Sequence, residues 1–279
     1  MGYGLYATCA LNLAMSIKAY APKVSITLVH DDCIDVLTEE EKKFFDFLKP
    51  VDPADYLING KPQYQRLKIC VDKYSDYTET IYIDVDSIFF PKKNIEDLLV
   101  KLSEKEFFIG YNGHYDPITR KRTNKNYTYW IDNPQTVCDY FKLKNKLPQT
   151  ISGMFYFKKG SFSNELFDLA RVIYDDQKAP HIRWAAGKPD EYCFNIALSM
   201  MGYTQEETHF LYFDKVNGQL TPERIYAHFW GLAAGGNRLQ ENIKRMYNDL
   251  ISLYCNHFQV KKHYHVDKKT IIPERINNV

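Results

Sequence analysis

Apolar and polar residues follow two periods along this chain, one typical of strands and one typical of helices. Segment 5–20 has apolar residues at helical spacing, and 24–29 is a β-branched run. Thr38 and Glu41 form a Thr-x-x-Glu capping box, which predicts a helix start. The predicted helices are 5–20, 38–48, 63–74, 163–174, 191–201 and 239–258, and the predicted strands are 24–29, 80–84, 107–111, 151–157 and 224–229. This alternation predicts an α/β fold with a mostly parallel, twisted central sheet and helices on both faces.

Composition narrows the class of protein. The chain has 279 residues, of which 45% are hydrophobic and 25% charged, as in a globular domain with a sizeable core. A net charge of +1 argues against constitutive, charge-driven binding to nucleic acid. We find no secretory signal and no apolar run of membrane-spanning length, and therefore expect a soluble, intracellular, cytoplasmic protein without stable membrane association.

The six cysteines are scattered along the chain and include no Cys-x-x-Cys pair, so we interpret them as reduced and mostly buried thiols. They are Cys9, Cys33, Cys70, Cys138, Cys193 and Cys255. The segment 113–126 is polar, carries several basic residues and reads as a mobile loop.

Two carboxylates interrupt an otherwise apolar strand. Asp84 and Asp86 lie within the apolar segment 80–90. Removing a charge from water is costly, and two like charges so close together also repel each other. A divalent cation relieves both costs, and open α/β sheets bind ligands at the carboxyl ends of their strands. The pair therefore predicts half of a metal site.

Further segments join this motif to form a known pattern. They are 5–18 with its leading Tyr6, Gln65-Arg-Leu-Lys68, Asp84-Val-Asp86, Ile151-Ser-Gly-Met154, Asp190-Glu-Tyr-Cys-Phe-Asn195 and Tyr226-Ala-His-Phe-Trp-Gly231. Together they resemble the nucleotide-sugar glycosyltransferases that carry an Asp-x-Asp motif, and within them glycosyltransferase family 8, which includes glycogenin and bacterial galactosyltransferases.

The resemblance implies a single GT-A-type domain over 1–279. Residues from about 1 to 110 would form the nucleotide-binding half, and 111–279 an acceptor-binding half with a C-terminal helix and a basic tail. The implied reaction moves a hexose from a UDP-sugar to a hydroxyl acceptor, with retention of the anomeric configuration. Asp84, Asp86 and His228 would hold Mn²⁺ or Mg²⁺ together with diphosphate oxygens, an oxygen-rich site with one imidazole.

The resemblance also implies a role for individual residues. Tyr6 would stack on the base, Arg66 would meet the diphosphate or the sugar, and Asp190 and Glu191 are the candidate catalytic residues. The implied nucleotide-sugar-binding residues are Tyr6, Arg66, Asp84, Val85, Asp86, Ser152, Gly153 and Gly231. Under retention, Asp190 or Glu191 stabilises positive charge on the sugar ring. In an inverting enzyme, one of them would deprotonate the acceptor.

Simpler structural roles compete with several of these assignments. Asp190 follows Pro189 at the start of a predicted helix and can be a helix cap. Tyr6 can be ordinary packing. Ser152 and Gly153 can simply allow close packing of a helix on a strand.

Two alternatives for the function stay open. The acceptor is expected to be a glycan, but the basic stretches 120–125 and 261–269 also suit a hydroxymethylated base in DNA. The second alternative is a catalytically degenerate nucleotide-sugar-binding protein. Two departures from the family motivate this alternative. Family members have a strand before the first helix, for which this sequence has almost no room. They also have a diphosphate-binding Lys three residues past the glycine that Gly231 matches, where this chain has Ala234.

Overall fold

The structure is a computed structural model that describes residues 3–92, 95–123, 133–181, 188–204, 226–228 and 241–260, with the side chains of 3–5, 32–33, 226–228 and 241–243 outside that description. The chain folds into two compact units. The first unit comprises Met1–Val51, Ile83–Lys101 and Phe210–Val279, and the second comprises Asp52–Tyr82 and Leu102–His209. The units thus interleave along the sequence.

The described elements alternate between helices and strands, as an α/β fold requires. The helices are α1 (Tyr3–Lys18), α2 (Glu39–Lys42), α3 (Tyr64–Lys68), α4 (Ile95–Leu102), α5 (Pro134–Phe141), α6 (Ser161–Asp175), α7 (Asp190–Met200) and α8 (Glu241–Phe258). The strands are β1 (Thr27–His30), β2 (Phe47–Pro50), β3 (Leu57–Ile58), β4 (Lys61–Pro62), β5 (Glu79–Ile83), β6 (Ser87–Phe89), β7 (Phe107–Asp116), β8 (Lys121–Arg122), β9 (Leu147–Lys158) and β10 (Tyr226–His228).

In the first unit, the apolar helix α1 is buried against β6 and α8. Ser16 on α1 accepts a hydrogen bond from the Phe89 amide at 3.0 Å. Tyr254 on α8 donates to the Phe89 carbonyl at 2.7 Å. These two bonds satisfy both backbone groups of a fully buried residue, and they hold β6 between the two helices.

In the second unit, β5, β9, β7 and β8 form a four-stranded sheet in that order. Helices α6 and α7 pack on each other, and α7 also packs on β9. The core between them is aromatic and includes Phe107, Phe155, Phe167 and Phe194, whose rings lie 5.3–6.3 Å apart where they meet.

The predicted α/β class is confirmed, but a single, mostly parallel sheet is not what the described strands form. β1 and β2 pair in parallel, whereas β7 pairs antiparallel with both β8 and β9, and β10 pairs antiparallel with β6. Among the residues that the structure describes, no helix is long and apolar enough to cross a membrane.

Three local predictions need correction. The predicted helix 63–74 is instead the short helix α3, which ends at Lys68, followed by a 3₁₀ turn over Val71–Lys73. The capping box of Thr38 and Glu41 forms, but its helix ends at Lys42, because the chain then turns into β2 to pair with β1. The polar stretch after 113 is not a plain loop where it is described. It continues β7 to Asp116 and returns as β8, and the Asp116 side chain accepts two backbone hydrogen bonds in the turn.

The prediction of buried, reduced thiols is confirmed for the cysteines whose side chains are described. The free and buried ones are Cys9, Cys70, Cys138, Cys193 and Cys255.

Candidate functional site

The acidic motif lies in the turn between β5 and β6 in the first unit. Asp84 directly follows β5, and Asp86 directly precedes β6. The Ser87 amide donates to the Asp84 carbonyl at 3.1 Å, which closes the turn. Val85 packs against the apolar core of this unit, so the middle residue of the motif anchors the turn. Both aspartates are partly buried.

The β6–β10 pairing brings the distant histidine segment to this turn. The pairing is antiparallel, with Tyr226 opposite Phe89, Ala227 opposite Ile88 and His228 opposite Ser87. Directly opposed residues in such a pair have α-carbons roughly 4.5–5.5 Å apart. The backbone of His228 therefore lies across from the residue that follows Asp86. The His228 side chain and Gly231 lie outside the described residues.

The buried face of α1 near this turn carries a neutral polar network. Burial, and then the negative charge of Asp86, raise the pKa of Cys9 to about 12. Tyr247 on α8 donates to the Cys9 sulfur at 3.9 Å and accepts from the Asn12 amide at 3.3 Å. The Cys9 thiol therefore stays protonated beside Asp86, and it adds no second negative charge there.

The donor set of the acidic motif fits a hard divalent cation. Two carboxylates with one imidazole are ligands that Mn²⁺ and Mg²⁺ accept. Among the described side chains, no three His, Cys, Asp or Glu residues are grouped closely enough to hold an ion. The side chain of His228 lies outside the described residues, and its role as the third ligand stays a prediction.

Tyr6 lies on α1, in the same unit as the acidic motif, and its side chain is 47% exposed. The helix is mostly buried from Ala7 onward, whereas the Tyr6 side chain near its start is partly exposed to solvent. Stacking of Tyr6 on a base stays a prediction.

A second polar cluster, in the second unit, gathers around Lys68 on α3. The Lys68 ammonium donates to the Ser152 hydroxyl at 3.2 Å and lies 3.3 Å from Asp190 Oδ2. It also lies 5.5 Å from the centre of the Tyr82 ring. Ser152 is fully buried on β9, and Asp190, 4% exposed, begins α7. Three predicted site residues, Ser152, Asp190 and Glu191, therefore belong to one cluster, with Gly153 next to it on β9.

Glu191 is the carboxyl group of this cluster whose pKa is raised. Burial, followed by the negative charge of Asp190, raises the pKa of Glu191 to about 7. The positive charge of Lys68 and a hydrogen bond from Ser152 act in the opposite direction. A carboxyl group that titrates near neutral pH suits proton transfer or charge stabilisation at an active site.

Arg66, predicted to bind the donor, has a different environment from Lys68. Its guanidinium makes two hydrogen bonds of 2.9 Å to the Asp175 carboxylate. It also donates to the carbonyls of Ala54 and Asp55 at 3.1 Å each. The Asp175 hydrogen bonds raise the pKa of Arg66 further. Contact of Arg66 with a donor stays a prediction, but Lys68 is the basic residue of this segment that the structure brings to Ser152 and Asp190.

Two residues that sequence reasoning did not select hold the start of α7 in place. The buried Lys188 donates to the carbonyls of Ile173, Tyr174 and Asp176, which end α6. Asp190 follows two residues later. The sequence gives only a weak signal for the role of Lys188, because an isolated lysine before a proline normally indicates a solvated loop.

Asn195, the second of these residues, ends the motif that begins at Asp190. Its side-chain oxygen accepts from the Thr150 amide at 2.9 Å and from the Thr150 hydroxyl at 2.7 Å, both buried. This contact fixes α7 to β9, the strand that carries Ser152. Asn195 therefore helps to hold α7, which begins at Asp190, against the strand that carries Ser152.

Comparison with solved structures gives the fold class. The chain is similar to the galactosyltransferase LgtC in complex with donor and acceptor sugar analogues, with a TM-score of 0.52, 12% identity, and coverage of 90% of this chain and 92% of that chain. Mouse xyloside xylosyltransferase 1, in its apo form, gives a TM-score of 0.45 at 14% identity, over 97% of this chain and 94% of that chain. Both neighbours are glycosyltransferases, and the likeness to the first shows that this chain shares its fold. The sequence matches no protein-family profile and no curated protein sequence.

Proposed function

We propose that this protein is a metal-dependent glycosyltransferase that moves a hexose from a UDP-sugar to a hydroxyl acceptor, with a glycan as the acceptor and with retention. The observation that carries the proposal is the β6–β10 register, in which His228 pairs with the residue that follows Asp86. This register brings the backbone of His228 close to the end of the acidic motif, which supports a site shared by the two carboxylates and the imidazole. The likeness of the fold to a galactosyltransferase supports the same function.

Asp84, Asp86 and His228 are the residues that would hold Mn²⁺ or Mg²⁺. A bound divalent cation neutralises negative charge that develops on the departing diphosphate. Val85 keeps the acidic turn on the apolar core, and Tyr6 offers an aromatic face for the base. Gly231 belongs to the same proposal as a residue that lets the backbone approach phosphate closely.

Asp190 and Glu191 are the proposed catalytic residues, and Ser152 and Gly153 shape the sugar site. In a retaining reaction the acceptor hydroxyl enters on the face that the diphosphate leaves. An ionised carboxylate then stabilises the positive charge on the ring. In an inverting reaction Glu191, which titrates near neutral pH, would instead take the acceptor proton.

The direct test is turnover of UDP-glucose and UDP-galactose with Mn²⁺, for the parent protein and for Asp86→Ala. We expect the variant to lose activity on the order of 100-fold or more, because a metal ligand is removed. Asp97→Ala, a matched change of an exposed carboxylate on α4, serves as the control and should retain activity within about twofold. Equal activity of Asp86→Ala and the parent protein would contradict the metal-dependent reaction.

The stereochemistry and the alternatives are separated by two further measurements. NMR analysis of the product anomer tests retention, and a β product from an α donor would exclude it. UDP binding without turnover, across donors and glycan acceptors, would favour the degenerate nucleotide-sugar-binding protein.

The DNA alternative depends on the tail 261–269, which lies outside the described residues. Salt-sensitive DNA binding that disappears when Lys261, Lys262, Lys268 and Lys269 are changed to alanine would favour it.

A further inference from the structure

Lys68 connects three elements of the second unit through one ammonium group. Its nitrogen lies 3.2 Å from the Ser152 hydroxyl and 3.5 Å from the Ser152 carbonyl on β9. It lies 3.3 Å from Asp190 Oδ2 at the start of α7. The two contacts with Ser152 are hydrogen bonds, whereas the contact with Asp190 is an ion pair, since Asp190 Oδ2 has no hydrogen-bond partner among the described residues. The exposed fractions of the two charged side chains are only 15% for Lys68 and 6% for Asp190.

The Ser152 hydroxyl extends this contact to Glu191. It accepts from Lys68, and both the Ser152 hydroxyl and the Lys68 charge lower the pKa of Glu191. The lysine therefore acts on both carboxylates, through an ion pair with Asp190 and through its positive charge on Glu191. We propose that Lys68 is a positioning residue that orients the Asp190–Glu191 pair and carries the counter-charge that allows both carboxylates to be ionised together. This role rests on the proposed function only in taking that pair as the catalytic one.

The geometry of α3 explains why Lys68, and not Arg66, has this role. Residues two apart on a helix do not share a face. The bidentate contact of Arg66 with Asp175 at the end of α6 fixes one side of this short helix. The opposite side, which carries Lys68, is thereby held toward β9 and α7. Arg66 therefore helps to hold α3 in the orientation that places Lys68 near Ser152 and Asp190.

The charges around Glu191 come from every element packed on α7. Asp190, on the same helix, opposes ionisation of Glu191, and Lys68 from α3 favours it, as does the hydroxyl of Ser152 from β9. From α6, the phenol of Tyr174 lies close enough for the Asp190 charge to contribute to a raised Tyr174 pKa, so this phenol stays neutral. Lys188, before α7, is held by backbone carbonyls. Among the described residues, Lys68 is therefore the cation that opposes the repulsion between the two carboxylates.

The test is a carboxyl ¹³C NMR titration of the full chain, with the Glu191 signal assigned from its absence in Glu191→Gln. In Lys68→Met we expect the pKa of Glu191 to rise by about 1, which is a tenfold change in proton affinity, because the nearby positive charge is gone. Lys68→Arg keeps the charge, and the pKa of Glu191 in this variant should lie close to its value in the parent protein. Lys158→Met, at the half-buried end of β9 where Lys158 pairs with Glu79 at 3.4 Å, makes the same chemical change away from the cluster and should leave the titration unaltered.

A Glu191 titration that is the same in Lys68→Met and in the parent protein would overturn the proposal. So would a Lys68→Arg variant that behaves like Lys68→Met. If Lys68→Met does not fold, Lys68→Gln replaces it, because it keeps a hydrogen-bond donor and removes only the charge. The titration needs no turnover. An inactive parent protein with a Glu191 response to Lys68 would therefore contradict the proposed function and leave this inference standing.

Discussion

We expect Glu191→Gln to make the protein more stable, by an amount that grows as the pH rises from 5 to 8. In the folded protein, burial and the Asp190 charge hold the pKa of Glu191 at about 7, above its ordinary value of 4.5. The folded state therefore binds this proton more tightly than the unfolded state. Between the unfolded and the folded pKa, the unfolded state has lost this proton while the folded state still holds it, so raising the pH lowers the free energy of unfolding. This decrease is complete above the folded pKa. Glutamine has no proton to lose, so the variant escapes the loss.

The size of the effect follows from the two pKa values. Each pKa unit corresponds to about 1.4 kcal/mol, so the interval between 4.5 and about 7 amounts to roughly 3 kcal/mol at high pH. At pH 5 the unfolded chain is already largely ionised at this position, so part of the difference is present there. The stabilisation by glutamine should therefore increase by about 2 kcal/mol between pH 5 and pH 8.

Urea unfolding followed by circular dichroism at pH 5, 6, 7 and 8 measures this difference. Glu165→Gln, at an exposed position of α6, is the matched control and should change little with pH. If Glu191→Gln and the parent protein differ by the same free energy at pH 5 and pH 8, Glu191 does not hold its proton more tightly in the folded state. The reasoning from burial and the Asp190 charge would then be wrong.

Other predictions concern the contacts that support the two clusters. Lys188→Met should lower the free energy of unfolding by about 2–4 kcal/mol, because three carbonyls at the end of α6 lose their donor. Thermal unfolding checks this against the exposed control Lys159→Met, and equal losses would contradict it. Asn195→Ala should cost about 2–3 kcal/mol, since the amide and hydroxyl of Thr150 lose a buried acceptor. Asn195→Asp keeps the acceptor and should lose less in the same assay. Ser16→Ala removes the hydroxyl that accepts from a buried amide of β6 and should cost about 1–3 kcal/mol in urea unfolding, whereas a neutral result would mean that this hydrogen bond adds little to stability.

Local structure could be predicted where short-range chemistry decides it. The periodicity of 5–20 predicted α1, which spans Tyr3–Lys18, and the pattern of 163–174 predicted α6, which spans Ser161–Asp175. The capping box also forms at the predicted place. The length of α2 could not be predicted, because the pairing of β2 with β1, a contact between separate segments, ends the helix after Lys42. Local propensity is a weak guide wherever such pairing competes with it.

For the candidate site, residue type and spacing were enough to predict which chemical groups are present. They predicted two carboxylates at a strand end, a histidine segment in the last quarter and an acidic pair at a helix start. The partners of these groups depend on the three-dimensional fold. It set β10 against β6 in the register that pairs His228 with Ser87, and it gave Lys68, rather than Arg66, to Ser152 and Asp190. Those choices depend on strand register, on which face a helix buries and on how burial shifts proton affinity, and each of these arises from contacts between residues far apart in the chain.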